Sequence, residues 1–267
     1  MKYSLIFFLV ILFFIPSTGI CQVIFSYDFN KETTGKPPSA PWSITPAGKI
    51  EIVDFPSKTN KSVKITDSGS GAGMTLLLDS PIKNKTVSLE FNFMRENGWT
   101  VACEIFYVMN KKCPDDWSGI CIKDSDNGFI SYHNGVDWVD AVKLTDDQWH
   151  TIKLIFYLEK DKYDFYYDGK EMAKNVGYRK WDGLDKQGID KFNVANVGDG
   201  GSTFVKYYDD IILYEGTTKP FAVKSDGKLA NMWGAVKISA SESQFREYPN
   251  GHKGTRFEKG LLPKKIW

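Results

Sequence analysis

The chain has 267 residues, with 34 Lys or Arg against 33 Asp or Glu and a formal net charge of +1. That balance gives no global attraction to nucleic acid or to an acidic membrane, so neither is expected as a partner. Aromatic residues make up 15% of the chain, a surplus that can fill a core or line a sugar-binding surface.

At the N-terminus, Met1 and Lys2 precede Ser4 to Ile15, SLIFFLVILFFI, which is apolar after its first serine. Pro16-Ser-Thr-Gly-Ile-Cys21 then brings turn-forming and small residues. Residues 1–21 are expected to be a secretory signal peptide, too short to span a bilayer as a stable helix. Lipidation of Cys21 is the alternative; Ile20 argues against it, because the residue before a lipidated cysteine is normally small. No later segment is long and apolar enough to cross a membrane. An exported protein is expected, secreted, periplasmic or at the cell surface.

Residues 22–216 form the body and 217–267 an extension. The extension holds ten Lys or Arg against four acids, giving +6 and leaving −5 for residues 1–216. It is expected to pack on the body through that complementarity.

Along the body, short β-rich runs follow one another. They are Val23 to Phe29, Lys49 to Val53, Ser62 to Ile65, Met74 to Leu78, Thr86 to Met94, Val101 to Met109 and Ile120 to Ile122. Then come Gly128 to His133, Trp138 to Lys143, His150 to Leu158, Tyr163 to Tyr167, Lys191 to Val197 and Thr203 to Tyr214. Between them stand turn signals such as Asp-Asn-Gly, Asn-Gly and Asp-Gly, whose residues tolerate positive φ. In Tyr163-Asp-Phe-Tyr-Tyr-Asp168 residues 163, 165 and 167 face one way, and Asp164 and Tyr166 the other. The run at His150 is apolar on both faces, as a covered central strand should be. The pattern predicts an all-β, antiparallel sandwich or barrel.

Four segments carry a resemblance. Phe25-Ser-Tyr-Asp-Phe-Asn30 followed by Thr34-Gly-Lys-Pro-Pro-Ser-Ala-Pro-Trp42, and Asn60-Lys-Ser-Val-Lys-Ile65, resemble the opening of concanavalin A-like domains of secreted bacterial polysaccharide-utilisation proteins. Trp149-His-Thr-Ile-Lys-Leu154 with Tyr163-Asp-Phe-Tyr-Tyr-Asp-Gly-Lys170 resembles a laminin G-like strand pair, and Tyr207-Tyr-Asp-Asp-Ile-Ile-Leu213 the closing strand. The resemblance covers about residues 23–215. It implies a two-sheet jelly roll with adjacent first and last strands and a face that meets glycans. Fold alone does not fix function.

Glycosidases of this fold place paired carboxylates on one strand to flank the glycosidic bond. No such spacing occurs here; Ser88-Leu-Glu-Phe-Asn-Phe93 has Asn92 where Glu90 would need a partner. A polysaccharide lyase needs a base and a group that neutralises a uronate. The alginate-lyase motifs of the fold are absent, with Ser131-Tyr-His133 the closest echo. The lyase alternative therefore rests on Tyr132 or His133 as base, with Arg179 or Lys153 beside it. The first expectation is polysaccharide recognition by a monomer, with a lyase as the alternative.

Sugar rings stack on Trp and Tyr while their hydroxyls need polar neighbours. Trp117, Tyr132, Trp138 and Trp181, with Arg179, are the candidate binding residues, each standing at a turn or strand end. Trp149 is expected in the core and His150 in a structural role. His252 sits in a loop, and three scattered histidines make no zinc site. The resemblance places Asp28, on the opening strand, beside Asp209 and Asp210 on the closing one. Carboxylates there suit a structural Ca2+, a hard cation.

Cys103, Cys113 and Cys121 leave an odd thiol. Cys113–Cys121 would close a short loop, Cys103–Cys121 is the rival, and Cys103 also reads as a buried free thiol. In the extension, Leu229, Met232, Trp233 and Val236 fall at helical spacing, predicting a short amphipathic helix over about 228–236.

Overall fold

A computed structural model describes residues 22–45, 48–67, 71–97, 103–109, 119–125, 127–177, 179, 188–198 and 204–220. The segment expected to be a signal peptide, Cys113, Trp117, Trp181, His252 and the helix expected near Trp233 lie outside the described residues. The chain divides into units Met1–Phe221 and Ala222–Trp267, and the second is wholly outside them.

Every element among the described residues is a strand. In chain order they are β1 (Val23–Tyr27), β2 (Trp42–Ile44), β3 (Lys49–Ser57), β4 (Asn60–Asp67), β5 (Ala72–Ile82), β6 (Thr86–Arg95), β7 (Cys103–Met109) and β8 (Ile120–Asp124). They continue as β9 (Phe129–His133), β10 (Trp138–Lys143), β11 (His150–Tyr157), β12 (Lys162–Tyr167), β13 (Lys170–Gly177), β14 (Ile189–Gly198) and β15 (Phe204–Glu215). Sheet A runs β13-β12-β11-β6-β15-β4-β3, with β1 also paired to β15; sheet B runs β10-β9-β8-β7-β14-β5-β2. All pairings are antiparallel, as in a jelly roll. The first strand does lie against the last, with Tyr27 opposite Ile211.

Two strands escape the sequence pattern, for different reasons. β2 has only three residues, too few to show alternation. β13, KEMAKNVG, is an edge strand with mostly exposed or half-buried positions, so its composition shows no apolar face.

Alternation sets the core. Tyr163, Phe165 and Tyr167 of β12 point between the sheets, as do Phe91 and Phe93 of β6 and Ile152, Leu154 and Phe156 of β11. Rings meet across the gap: Phe91 stacks on Phe106 at 5.0 Å, and Tyr132 meets Phe165 at 5.9 Å. Each such side chain contributes about 1.5–3 kcal/mol on full burial. Two tyrosines also tie the sheets by hydrogen bonds, Tyr208 to the Ile105 carbonyl at 2.9 Å and Tyr163 to the His133 carbonyl at 2.6 Å.

An ionic cluster also joins the sheets. Lys206 and Arg95 are opposite one another on β15 and β6. Between them Asp124, from the end of β8, accepts from Lys206 Nζ at 3.0 Å and Arg95 Nη1 at 3.1 Å. Lys206 and Asp124 are fully buried, and Arg95 Nε also donates to Asp146 at 2.6 Å. Desolvating these charges is costly, so the arrangement holds only while every member keeps its partner.

Candidate functional site

The outer face of sheet B brings together two of the candidates, His133 and Trp138. On β8 and β9, Ile122, Ile130 and Tyr132 enter the core. Alternation therefore turns Lys123, Ser131 and His133 to the outer side. Trp138 of β10 stands opposite His133, and Asp140 opposite Ser131. The indole of Trp138 is half-buried. Lys123 Nζ sits 4.4 Å from its centroid, and the His133 ring meets it edge-on at 5.3 Å.

The β9–β10 turn fixes this group. Asn134 Oδ1 accepts from the backbone N–H groups of Val136 and Asp137, both at 2.8 Å. Gly135 takes φ 102°, and a Cβ there would lie 3.3 Å from the Gly177 backbone. The end of β13 therefore passes against this turn, and Arg179, two residues on, forms a backbone bridge with Gly119 at the start of β8.

That path shapes the chemistry of His133, which is buried. Burial first, then the Arg179 and Lys123 charges, hold its pKa below the usual value, with Asp137 opposing. Its Nδ1 accepts from the Gly135 N–H at 3.1 Å, so the neutral ring carries its proton on Nε2. Such an imidazole is a hydrogen-bond donor. Beside it, Asp140 accepts from Ser131 at 2.6 Å and Asn127 at 2.7 Å, and these bonds hold its pKa down.

The face continues as a polar row. Ser43, Thr75 and Asn193 are successive partners across β2, β5 and β14. Thr75 Oγ1 donates to Asn193 Oδ1 at 2.6 Å, and Leu77 on the same face is exposed. Sequence reasoning missed Lys123, Thr75 and Asn193. The alternation in Ile120-Cys-Ile-Lys-Asp124 was the available signal for the first.

Not every candidate joins this group. Tyr132 lies in the core against Phe165, on the opposite side of β9 from His133. Trp149 is buried as expected but belongs to the outer side of sheet A, stacked on Phe55 at 5.9 Å. His150 is a brace: Nδ1 meets Asp168 at 2.8 Å and Nε2 the Thr145 carbonyl at 3.0 Å. Cys103 is opposite Asp124 and Cys121 opposite Tyr107. An offset of three residues along β8, or four along β7, is about 10–13 Å, too far for a Cys103–Cys121 bridge.

The acidic residues of the first and last strands do converge. Asp209 is fully buried. It accepts from Asn60 Nδ2 at 3.2 Å and from the Asp210 N–H at 2.8 Å. Burial, then the Asp210 and Asp28 carboxylates, push its pKa up to about 9. Asp210 has φ 51° within a bulge, and its carboxylate turns to Asn92 Nδ2 at 3.1 Å. Asp28 accepts from the Asn30 N–H at 3.2 Å. No group of three His, Cys, Asp or Glu side chains is arranged for a metal among the described residues.

No protein-family model matches the chain, and no curated protein sequence matches it. Solved structures are similar in fold. A carbohydrate esterase from the Shiga toxin-encoding bacteriophage phi24B superposes with a TM-score of 0.57 at 16% identity, over 74% of this chain and 100% of that one. The catalytic domain of a glycoside hydrolase family 131 protein from Coprinopsis cinerea gives 0.55 at 11% identity, over 74% and 97%. A sialidase gives 0.54 at 10% identity; 84% of this chain is covered, spanning only 21% of the sialidase. At these identities the likeness is one of fold: the body is a two-sheet antiparallel jelly roll of the kind found in carbohydrate-active proteins.

Proposed function

We propose that this protein binds a polysaccharide through the outer face of sheet B, around Trp138. The observation that carries the reading is the grouping of a half-buried indole with Lys123, His133 and Arg179 at one end of a polar row. An aromatic ring offers a surface for the apolar face of a sugar, and flanking donors meet its hydroxyls or a carboxylate. The fold-level likeness to an esterase, a glycoside hydrolase and a sialidase supports a carbohydrate ligand. Export follows from reading residues 1–21 as a signal peptide. The test is retention on gels bearing algal or plant polysaccharides. Trp138→Ala should weaken retention about fivefold to tenfold, since a stacked ring contributes roughly 1 kcal/mol. Absence of retention across a broad panel would refute the reading.

A lyase is the second reading, favoured by the two cations beside His133. β-Elimination requires a base that takes the proton next to the uronate carboxyl. Tyr132 faces the core, which leaves His133, and the free nitrogen of His133 already holds a proton. Binding therefore ranks above elimination. New unsaturated-uronate absorbance from an acidic polysaccharide, lost in His133→Ala, would reverse that ranking.

We also propose a structural Ca2+ held by Asp28 and Asp209. The reading rests on two neighbouring carboxylates, hard oxygen ligands of the kind Ca2+ takes.

A further inference from the structure

The outer face of sheet A carries a second grouping that the sequence did not announce. Glu51, Lys64, Tyr207 and Met94 are successive partners across β3, β4, β15 and β6. Next to this row Phe55 meets the Tyr207 ring at 4.9 Å, and Trp149 backs both rings, at 5.9 and 6.5 Å. Three aromatic rings thus form one platform outside the core. Above it a groove of about 270 Å³ is lined by Phe55, Tyr207, Lys64, Glu51, Asp54 and Thr34.

The groove is built before any ligand arrives. The Tyr207 hydroxyl is bonded to Glu96, and Lys64 Nζ lies 5.3 Å from the Tyr207 centroid. Thr34 Oγ1 donates to Asp54 Oδ1 at 2.6 Å. The Thr34–Lys36 wall is fixed to β3 by two backbone bonds of 2.8 Å, from Gly35 N–H to the Ile52 carbonyl and from Ile52 N–H to the Lys36 carbonyl. A platform whose side chains are already ordered loses little entropy on binding.

Its chemistry selects the ligand class. Lys64 pairs with Glu96 at 3.4 Å and Lys49 with Glu51 at 2.7 Å; with Asp54 in the lining, these five side chains sum to −1. Carboxylates on a rim accept from hydroxyls and repel anions, while the charged rim disfavours a purely apolar guest. The volume lies just below the range of about 300–1,000 Å³ usual for small-molecule pockets. We infer that this groove is a second saccharide site, specific for a neutral sugar ring and separate from the Trp138 face. A protein with both sites holds two glycan segments on opposite faces of one sandwich.

The test uses the full mature chain with Trp138→Ala, so that the sheet-B face is disabled and a failure there is not confused with a failure here. Labelled with 5-fluorotryptophan, it is titrated with neutral gluco-, xylo-, manno- and galacto-oligosaccharides, and separately with oligogalacturonate. The Trp149 fluorine signal, assigned by Trp149→Phe, is the readout. A saturable shift with at least one neutral series and none with oligogalacturonate is expected. Adding Phe55→Ala should weaken the response at least fivefold, and Glu51→Gln, which keeps the fold's shape, should weaken it as well. No shift at millimolar sugar would overturn the inference. So would a stronger response to the uronate, or an unchanged response in both groove variants. A concentration-dependent dimer that occupies the groove would overturn it too.

Discussion

The two outer faces are chemically opposite although one core supports both. On sheet B, Trp138 lies against Lys123 and beside His133, whose pKa is depressed by burial and two cations. On sheet A, Tyr207 is bonded to Glu96 and its pKa is raised, by burial first and then by that carboxylate. The same alternation sends Ile122, Ile130, Val63 and Tyr208 inward in both sheets. What differs is the outward set, which the core does not constrain. In a sandwich, the faces can therefore diverge while the fold is kept.

The largest expected effect removes what holds the faces back to back. Asp124→Ala removes the carboxylate that Lys206 and Arg95 share inside the sandwich, and should cost about 3–5 kcal/mol in urea unfolding. Lys206→Met with Asp124→Leu should recover most of that loss. If Asp124→Ala unfolds like the parent protein, the cluster does not brace the sheets.

Next in size is the cation. With Ca2+ at one hundred times its dissociation constant, the folded state should gain about 2.7 kcal/mol over chelated protein. Asp209→Asn should abolish that gain while making the chelated protein more stable, because it removes a buried carboxyl that must take up a proton beside Asp210 and Asp28 on folding. A chelator that leaves the melting temperature unchanged would count against the site. A gain of that size sharpens the comparison, since the site lies where β15 changes its pairing from β4 to β1.

Trp138→Ala comes third, at roughly 1 kcal/mol of binding and little in stability. The smallest effect is the pH response of His133. Its folded pKa is below the unfolded value of about 6.5, so the unfolded chain takes up the proton first as pH falls. The neutral ring's contribution is complete above that value and is lost on acidification below it. His133→Gln should flatten this part of the stability profile, measured between about pH 5 and 8. A ring nitrogen spectrum showing Nδ1–H at neutral pH would contradict the assigned tautomer.

Legibility followed burial. β11 and β12 were readable because their inner faces are apolar, and the pairing of the first strand with the last because the resemblance implied it. Tyr132 shows the limit. It stands one residue from His133 and shares its turn, yet a one-residue step reverses the face. Trp149 shows another: its burial was expected, but its place on the outer side of sheet A depends on Phe55 and Tyr207, which are far away in sequence.

The sequence by itself determined the strand period, the turn chemistry and therefore the all-β sandwich, because these depend on neighbours within a few residues. Only the tertiary structure decided which residues share a face. Lys123 reaches Trp138, Arg179 approaches His133 after the chain crosses at Gly135 and Gly177, and Phe55 meets Tyr207. Each meeting depends on register between strands distant in the chain, and register is fixed by the packing of the whole core.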